Sequence, residues 1–171
     1  MNIIHADSPE HIAAVRILFR EYESFLNLDL CFQDFENELA GLPGKYAPPQ
    51  GALLLAVKGT DICGCVALRE LEPAVCEMKR LFVRPKYRGI GLGGDLAKRI
   101  IAEAQVKEYA AMRLDTLAQL AEAIRLYERL GFRKTAPYYH NPLPGASYWE
   151  LDLKATACEK GANSTTTKSC A

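Results

Sequence analysis

Residues 77–94 read EMKRLFVRPKYRGIGLGG, and both the fold and the candidate site depend on this stretch. The apolar residues up to Val83 predict a strand that ends at Arg84-Pro85. From Leu92 onward apolar residues recur at the spacing of an amphipathic helix, and glycines precede it. Backbone N–H groups at such a helix start meet at the positive end of the helix dipole. The stretch therefore predicts a strand, a turn that binds a phosphate or pyrophosphate, and a helix.

Positive charge is concentrated around the same turn. From Lys79 to Arg99 there are seven basic residues against one acid, Asp95, so this window carries +6 and the remainder of the chain −6. Over the whole chain 21 basic residues balance 21 acidic ones, which is unlike a surface built to bind nucleic acid or an anionic membrane. We therefore predict a local anion site, and neither a nucleic-acid nor a membrane partner.

The length of 171 residues fits one domain, and 49% hydrophobic with 25% charged residues is ordinary globular composition. We assign that domain to residues 1–153. Residues 154–171 carry too little apolar surface to pack, so they are predicted to form a disordered tail. The longest apolar run, residues 51–57, is far shorter than the roughly 20 residues of a membrane helix, and the start lacks a signal-peptide pattern. We expect a cytoplasmic protein.

The six cysteines are too few for a disulfide-built scaffold of this length. Cys63, Cys65 and Cys76 lie in apolar, strand-like segments, so we interpret the cysteines as reduced thiols. Cys63 and Cys65 have no second ligand pair at the spacing of a zinc finger. No metal is therefore predicted.

Hydrophobic patterning over the rest of the chain predicts strands and helices in mixed order, which indicates a mixed α/β or α+β sheet. Helices are predicted to begin near Pro9, Leu92 and Leu120, with a weaker one over residues 32–39. The predicted strands are residues 2–6, 53–57, 62–68, 75–83, 112–117, 132–135 and 147–153.

Two known phosphate-binding turns can be compared with the glycine stretch. A P-loop requires Lys-Ser/Thr after its last glycine, whereas Gly94 is followed by Asp95-Leu96. A dinucleotide-binding turn fits better, because Gly89, Gly91 and Gly94 satisfy G-x-G-x-x-G and Asp115 follows at about the right distance. Against it, five residues separate the strand from the first glycine, and 56 residues after Asp115 are too few for the rest of such a sheet. An NAD(P)-binding oxidoreductase stays open as the alternative.

Three segments in order carry a family resemblance: residues 77–84 (EMKRLFVR), the R-x-x-G-x-G pattern of residues 88–93, and residues 123–132 (AIRLYERLGF). Together they resemble the GNAT superfamily of acetyl-CoA-dependent N-acetyltransferases, over residues 2–153. The resemblance implies an α+β fold whose mostly antiparallel central sheet has about six or seven strands and about four flanking helices. It implies acetyl-CoA as co-substrate, and transfer of the acetyl group to a primary amine by direct attack in a ternary complex.

The resemblance also implies where the coenzyme binds. Backbone groups of Leu81, Phe82 and Val83 would pair with the pantetheine arm, which lies like an added strand where two neighbouring strands separate. Arg88 would lie beside the pyrophosphate. Leu120 departs from the common pattern, because many members have an asparagine there that contacts the arm. The N–H groups implied to bind the pyrophosphate are those of Gly89, Gly91, Leu92, Gly93 and Gly94.

Two side chains are the candidate catalytic groups. Tyr127 matches a tyrosine that family members place near the coenzyme sulfur, where its hydroxyl would protonate the departing thiolate. Glu77 matches the general base of the histone-acetylating branch; an alkylammonium has no lone pair, so a base must take its proton, directly or through a water. Without the resemblance, the residues alone favour a core tyrosine for Tyr127, and for Glu77 an exposed carboxylate paired with Lys79 or Arg80.

The acceptor is indicated only by charge. Residues 21–38 carry six acids, no base and four aromatic side chains, and in GNAT-like folds this region covers the acceptor side. We therefore hypothesise a small cationic amine, with a solvated acidic face as the equal alternative. A protein amine is the alternative acceptor, and a non-catalytic acyl-CoA-binding protein is an alternative class. A homodimer is left open.

Overall fold

The computed structural model describes residues 1–27 and 34–155. Residues 156–171, which hold most of the predicted tail, lie outside the described residues, as do Cys31, Cys158 and Cys170. The helices are α1 (Pro9–Leu26), α2 (Phe35–Ala40), α3 (Leu92–Val106) and α4 (Ala121–Arg129), with 3-10 turns at Gly44–Tyr46 and Pro85–Tyr87. The strands are β1 (Asn2–His5), β2 (Ala52–Lys58), β3 (Asp61–Glu72), β4 (Val75–Val83), β5 (Ala111–Leu117), β6 (Arg133–Thr135) and β7 (Ala146–Asp152).

The seven strands form one sheet in the order β1-β2-β3-β4-β5-β7-β6. Every neighbouring pair is antiparallel except β4 and β5, which are parallel. The predicted α+β fold with a mostly antiparallel sheet is confirmed. The alternative of a dinucleotide-binding oxidoreductase is wrong in its fold, because it requires a doubly wound parallel sheet.

Helices cover both faces of the sheet. On one face α3 packs against the centre through Leu96, Ala97 and Ile100, and on the other face α1 packs through Leu18 and Phe19. The predicted start of α1 is confirmed: Ser8 caps the helix by accepting from the His11 N–H, and proline occupies the first turn. No helix within the two described ranges is long and apolar enough to cross a membrane.

The middle of β4 contains a bulge. Cys65 pairs with Phe82 and Ala67 with Lys79, so β4 has one residue more than β3 between the two pairs. Within the bulge Arg80 adopts the left-handed conformation, with φ 57°. The neighbouring Gly64 permits the close approach of the strands, because a Cβ there would lie 2.5 Å from the Phe82 carbonyl oxygen.

β4 and β5 then separate. They pair only from Val75–Glu77 to Ala111–Arg113, and no pairing is recorded between them from Met78 onward in the described chain. The main chain of the second half of β4 is thus left open on its β5 side. This opening is the feature of the fold that positions the site.

The cysteines in the described ranges fit the predicted reduced state. Cys63, Cys65 and Cys76 are buried and unbridged. Burial raises the pKa of the Cys76 thiol to about 12, so it is protonated at neutral pH. Cys76 is therefore a small apolar group of the core and a poor nucleophile.

Candidate active site

A cleft of about 630 Å³ occupies the opening between β4 and β5. α1, β4, the glycine turn, β5, the start of α4 and the loop between β6 and β7 all contribute to its walls. Among the predicted site residues, Glu77 does not line the cleft. Those that line it are Leu81, Phe82, Val83, Arg88, Gly89, Gly91, Leu92, Gly93, Gly94 and Tyr127.

The glycine turn presents unpaired backbone donors to this cleft. Gly91 precedes α3 with φ 86° and provides no side-chain cap. The first bond of the helix runs from the Asp95 N–H to the Gly91 carbonyl, so the N–H groups of residues 92–94 have no backbone acceptor among the described residues. A Cβ on Gly91 would meet nothing within 4 Å, which leaves room for a ligand. The unpaired N–H groups, the positive end of the α3 dipole and the free space beside Gly91 together fit an anionic diphosphate.

Most of the basic cluster of residues 79–99 is neutralised in the fold. The sequence predicted a positive patch around the glycine turn, but five of the seven basic side chains are paired with carboxylates from elsewhere in the chain. Two of those carboxylates, Glu21 and Glu38, belong to the acidic segment 21–38, so the two charge clusters partly neutralise each other. The five pairs are Lys79–Asp115, Arg80–Glu38, Arg84–Glu21, Lys86–Asp61 and Arg99–Glu103.

Arg88 lies at the mouth of the cleft between main chain and an aromatic ring. Its Nε donates to the Val83 carbonyl oxygen at 2.8 Å, and its guanidinium carbon lies 4.2 Å from the centre of the Phe25 ring. The stack holds the planar cation in place. Arg88 is therefore fixed beside the open glycine turn.

Tyr127 brings a buried hydroxyl to the cleft. Its ring packs edge-on against Phe132, and no described residue forms a hydrogen bond with its hydroxyl. Burial raises the pKa of Tyr127 far above its usual value, and the nearby Tyr22 and Asp115 add to the rise. The hydroxyl therefore keeps its proton at neutral pH and can donate it inside the cleft.

Glu77 is fully buried at 0% exposure and does not line the cleft. Its Oε2 accepts from Arg69 Nε at 2.7 Å and Nη2 at 2.6 Å, and its Oε1 accepts from the Tyr138 hydroxyl at 2.8 Å. Lys79 Nζ, which does line the cleft, lies 3.8 Å from Oε1. The expectation of an exposed carboxylate is thus wrong. The catalytic role of Glu77 stays a prediction, in which a water carries the proton to the carboxylate.

A polar network on the β5 side of the cleft was not found from the sequence. Asp115 lines the cleft, where its Oδ1 accepts from Lys79 Nζ at 3.3 Å. Its Oδ2 accepts from the Tyr139 hydroxyl at 2.6 Å and from Asn141 Nδ2 at 3.0 Å. Burial alone would raise the pKa of Asp115, but the charge of Lys79 and these hydrogen bonds outweigh burial and lower it. The signal that was available is a carboxylate in a strand whose alternate residues, Met112, Leu114 and Thr116, are buried.

The acidic segment 21–38 does not form a free acidic face. Four of its described carboxylates bond to arginines, and the fifth, on Asp34, accepts from Asn37 Nδ2 at 2.6 Å. Asp29 lies outside the described residues. Leu120, the departure from the family pattern, lines the cleft at the start of α4 with an apolar side chain.

Known proteins match this arrangement of strand, glycine turn and helix. Residues 49–134 match the family model described as an acetyltransferase (GNAT) domain. An uncharacterized N-acetyltransferase of Schizosaccharomyces pombe is 44% identical over 148 residues, which cover 85% of this chain and 90% of the relative.

The chain belongs to the GNAT family of acetyltransferases.

Two further GNAT comparisons are informative. A Salmonella typhimurium structure that contains its cofactor acetyl-CoA has a TM-score of 0.66 and 21% identity, and the match covers 99% of both chains. This shows a shared fold. The N-acetylaspartate synthetase of Rattus norvegicus is 35% identical over 111 residues, which cover 64% of this chain and 37% of the relative. The family model and the Schizosaccharomyces pombe relative support an N-acetyltransferase that uses acetyl-CoA as co-substrate.

Proposed function

We propose that this chain transfers the acetyl group of acetyl-CoA to the primary amine of a small molecule, by direct attack of the amine in a ternary complex. One observation carries the proposal. The uncapped N-terminus of α3, the open main chain of β4 and the buried hydroxyl of Tyr127 line a single continuous cleft. This is the arrangement that a long coenzyme with a diphosphate at one end and a thioester at the other requires.

The coenzyme side of the cleft is built mainly from backbone. We assign the diphosphate to the N–H groups of Gly89, Gly91 and residues 92–94, with Arg88 beside them. Leu81, Phe82 and Val83 would hold the pantetheine arm through the main-chain groups that β5 leaves unpaired. Acetyl-CoA, when bound, supplies an acetyl thioester that a neutral amine can attack. One N–H of the same strand would stabilise the negative charge that develops on the acetyl oxygen.

Protons are handled by two groups in the proposal. Tyr127 Oη holds the proton that the departing thiolate takes, because burial keeps this hydroxyl protonated. Glu77 is proposed to take the proton of the acceptor amine through a water, since its carboxylate is buried and does not line the cleft. A small amine reaches this position more easily than a folded protein surface, so a protein acceptor stays the alternative.

The acids of residues 21–38 do not decide the charge of the acceptor. A cationic acceptor was inferred from the acids of residues 21–38, but the described ones are paired. The relative named N-acetylaspartate synthetase points to amines that also carry carboxylates. The amine panel should therefore include cationic and carboxylate-bearing acceptors. Turnover with neutral or anionic acceptors alone would rule out the cationic one.

The test has two stages. Acetyl-CoA at 100 times its Kd should stabilise the protein by about 2.7 kcal/mol in a thermal-shift assay, whereas NAD should not shift the transition. Thiol release is then followed with the amine panel. No stabilisation by acetyl-CoA would overturn the proposal, and stabilisation without thiol release for any small amine or peptide would favour the non-catalytic acyl-CoA-binding protein.

We also propose a cytoplasmic location. The support is the chemistry of the thiols: Cys63, Cys65 and Cys76 are buried and unbridged. Such thiols are typical of reducing compartments. Fractionation of cells that express the tagged chain would test the location.

A further inference from the structure

Asp115 is distinguished by its position in the cleft. Two carboxylates are among the described residues that line the cleft, Asp115 and Glu122. The Glu122 side chain is 86% exposed at the surface, whereas that of Asp115 is 10% exposed. Asp115 is also two residues beyond Arg113, the last residue of β5 that pairs with β4. A buried negative charge therefore lies at the point where the sheet opens.

The carboxylate of Asp115 is oriented but not saturated by its neighbours. Tyr139 and Asn141, both from the loop between β6 and β7, bind Oδ2 at 2.6 and 3.0 Å. On Oδ1 the described residues supply one donor, Lys79 Nζ at 3.3 Å. Since a carboxylate offers about four acceptor positions, Oδ1 has capacity for a further donor.

Lys79 does not block such a donor. Its Nζ lies between two carboxylates, 3.3 Å from Asp115 Oδ1 and 3.8 Å from Glu77 Oε1. It can stay paired with Glu77 while a second cation approaches Asp115. The like charge of Lys79 would also favour loss of a proton from a bound ammonium, which the reaction needs before attack.

Asp115 shares the cleft with the proposed proton donor. Asp115 lines the cavity from strand β5 and Tyr127 lines it from helix α4. A cation held on Asp115 would thus lie in the same cavity as the proposed thioester.

We propose that Asp115 binds the acceptor as a primary ammonium ion, with Tyr139 and Asn141 holding the carboxylate in place. The acceptor class is then an amine that is protonated in solution and loses its proton in the cleft. This inference rests on the proposed acetyl transfer. It gives the role of binding the acceptor to Asp115, a residue that the proposed transfer step does not use.

The test compares Asp115→Asn with Asp7→Asn, the same change at a side chain that is 81% exposed. The probes are n-butylamine, ethanolamine, β-alanine and L-aspartate, and the fastest with the unaltered protein is used for full kinetics. Asp115→Asn should raise the KM of that amine about 30-fold or more, because a charge-assisted contact is lost. The KM of acetyl-CoA should stay within about 2-fold in both variants. Asp7→Asn should leave the amine KM unchanged.

A neutral nucleophile separates binding from a structural role. O-Methylhydroxylamine is unprotonated at neutral pH, so Asp115→Asn should retain its turnover after subtraction of the uncatalysed rate. Equal losses with the ammonium probe and with O-methylhydroxylamine would overturn the assignment, as would an unchanged amine KM. If Asp115→Asn does not fold, Tyr139→Phe replaces it, with an expected rise of about 5-fold in the amine KM alone.

The outcomes for the two proposals are distinct. Turnover with an amine probe, together with an unchanged amine KM in Asp115→Asn, would contradict the binding of the ammonium by Asp115 and leave the proposed acetyl transfer intact. No turnover with any probe would contradict both the transfer to small amines and the role of Asp115.

Discussion

The two sides of the cleft are built in different ways. On the coenzyme side, backbone N–H groups from one contiguous stretch of glycines face the cavity, and their arrangement depends on local dihedral angles. On the proposed acceptor side the groups are side chains joined by ion pairs and hydrogen bonds across the sequence. Arg80 and Glu38 are 42 positions apart, and Glu77 and Tyr138 are 61 positions apart. Backbone geometry should therefore decide coenzyme affinity, and buried charge pairing should decide the integrity of the acceptor side.

The largest effect is expected from Glu38→Gln, on the acceptor side. Glu38 binds the Arg80 guanidinium with two bonds of 2.9 and 2.8 Å, and the Arg80 side chain is almost fully buried. Removal of one partner leaves a buried charge uncompensated, so unfolding by urea should show a loss of about 3 kcal/mol.

Glu36→Gln is the matched control on the same helix. Glu36 pairs with Arg20 at the surface, where both side chains are exposed, and its loss should leave the midpoint of unfolding unchanged. Equal effects of the two substitutions would contradict the role assigned to burial.

The same pair should make stability depend on pH. Burial alone would raise the pKa of Glu38, but the bonds and charge of Arg80 outweigh it and hold this pKa below its ordinary value. A depressed folded-state pKa contributes stability above the unfolded value of about 4.3, and this contribution is lost as the pH falls through the folded-state pKa. The melting temperatures of the unaltered chain and Glu38→Gln should therefore converge below about pH 4. A constant difference from pH 7 to pH 3 would contradict the ion pair.

A smaller effect is expected on the coenzyme side from Gly91→Ala. At φ 86° any side chain strains the turn, whatever space surrounds it. The altered turn should misdirect the N–H groups of residues 92–94 and weaken acetyl-CoA binding about 30-fold, or about 2 kcal/mol, in calorimetry. Gly59→Ala is the control, because Gly59 has φ 60° in a hairpin turn and does not line the cleft. Equal acetyl-CoA affinity in the two variants would contradict the claim that the backbone geometry of the glycine turn decides coenzyme binding.

Tyr127→Phe tests the place where the two sides meet. Loss of the hydroxyl should lower kcat by about 10-fold or more with little change in coenzyme affinity, because the proton donor acts only during transfer. Tyr109→Phe removes a buried hydroxyl that donates to the Gln50 carbonyl outside the cleft, and it should keep its kcat. Unchanged turnover in Tyr127→Phe would remove the proposed role.

The smallest effect is expected from Lys86→Gln. Lys86 belongs to the basic cluster of the sequence, but it is exposed and pairs with Asp61. Acetyl-CoA affinity should change by less than about 2-fold at physiological salt, because an exposed, screened charge contributes little. A large loss would show that the charge field, and not the backbone, holds the diphosphate.

The difference between the two sides also explains what could be predicted. Residues 88–94 predicted a coenzyme site because a contiguous glycine turn at a helix start has a local signature. The structure places that turn on the cleft, and its binding of the coenzyme stays a prediction. The burial of Glu77 had no local signature, since Arg69 and Tyr138, which neutralise and cover it, come from another strand and a distant loop. The ion pairs Arg84–Glu21 and Arg80–Glu38, which join the basic and the acidic cluster, had no local signature either, because their partners are far apart in the sequence.

The limited pairing of β4 with β5 has a consequence for the lifetime of the protein. In the described chain, three residue pairs and two hydrogen bonds to the Ala74 carbonyl form the recorded backbone connection between the two portions of the sheet, so this seam is a natural place for partial opening. A molecule that spans both portions favours the closed form by mass action. The survival of the enzyme under proteolysis would then follow the supply of its acyl donor, and starvation for that donor would shorten it.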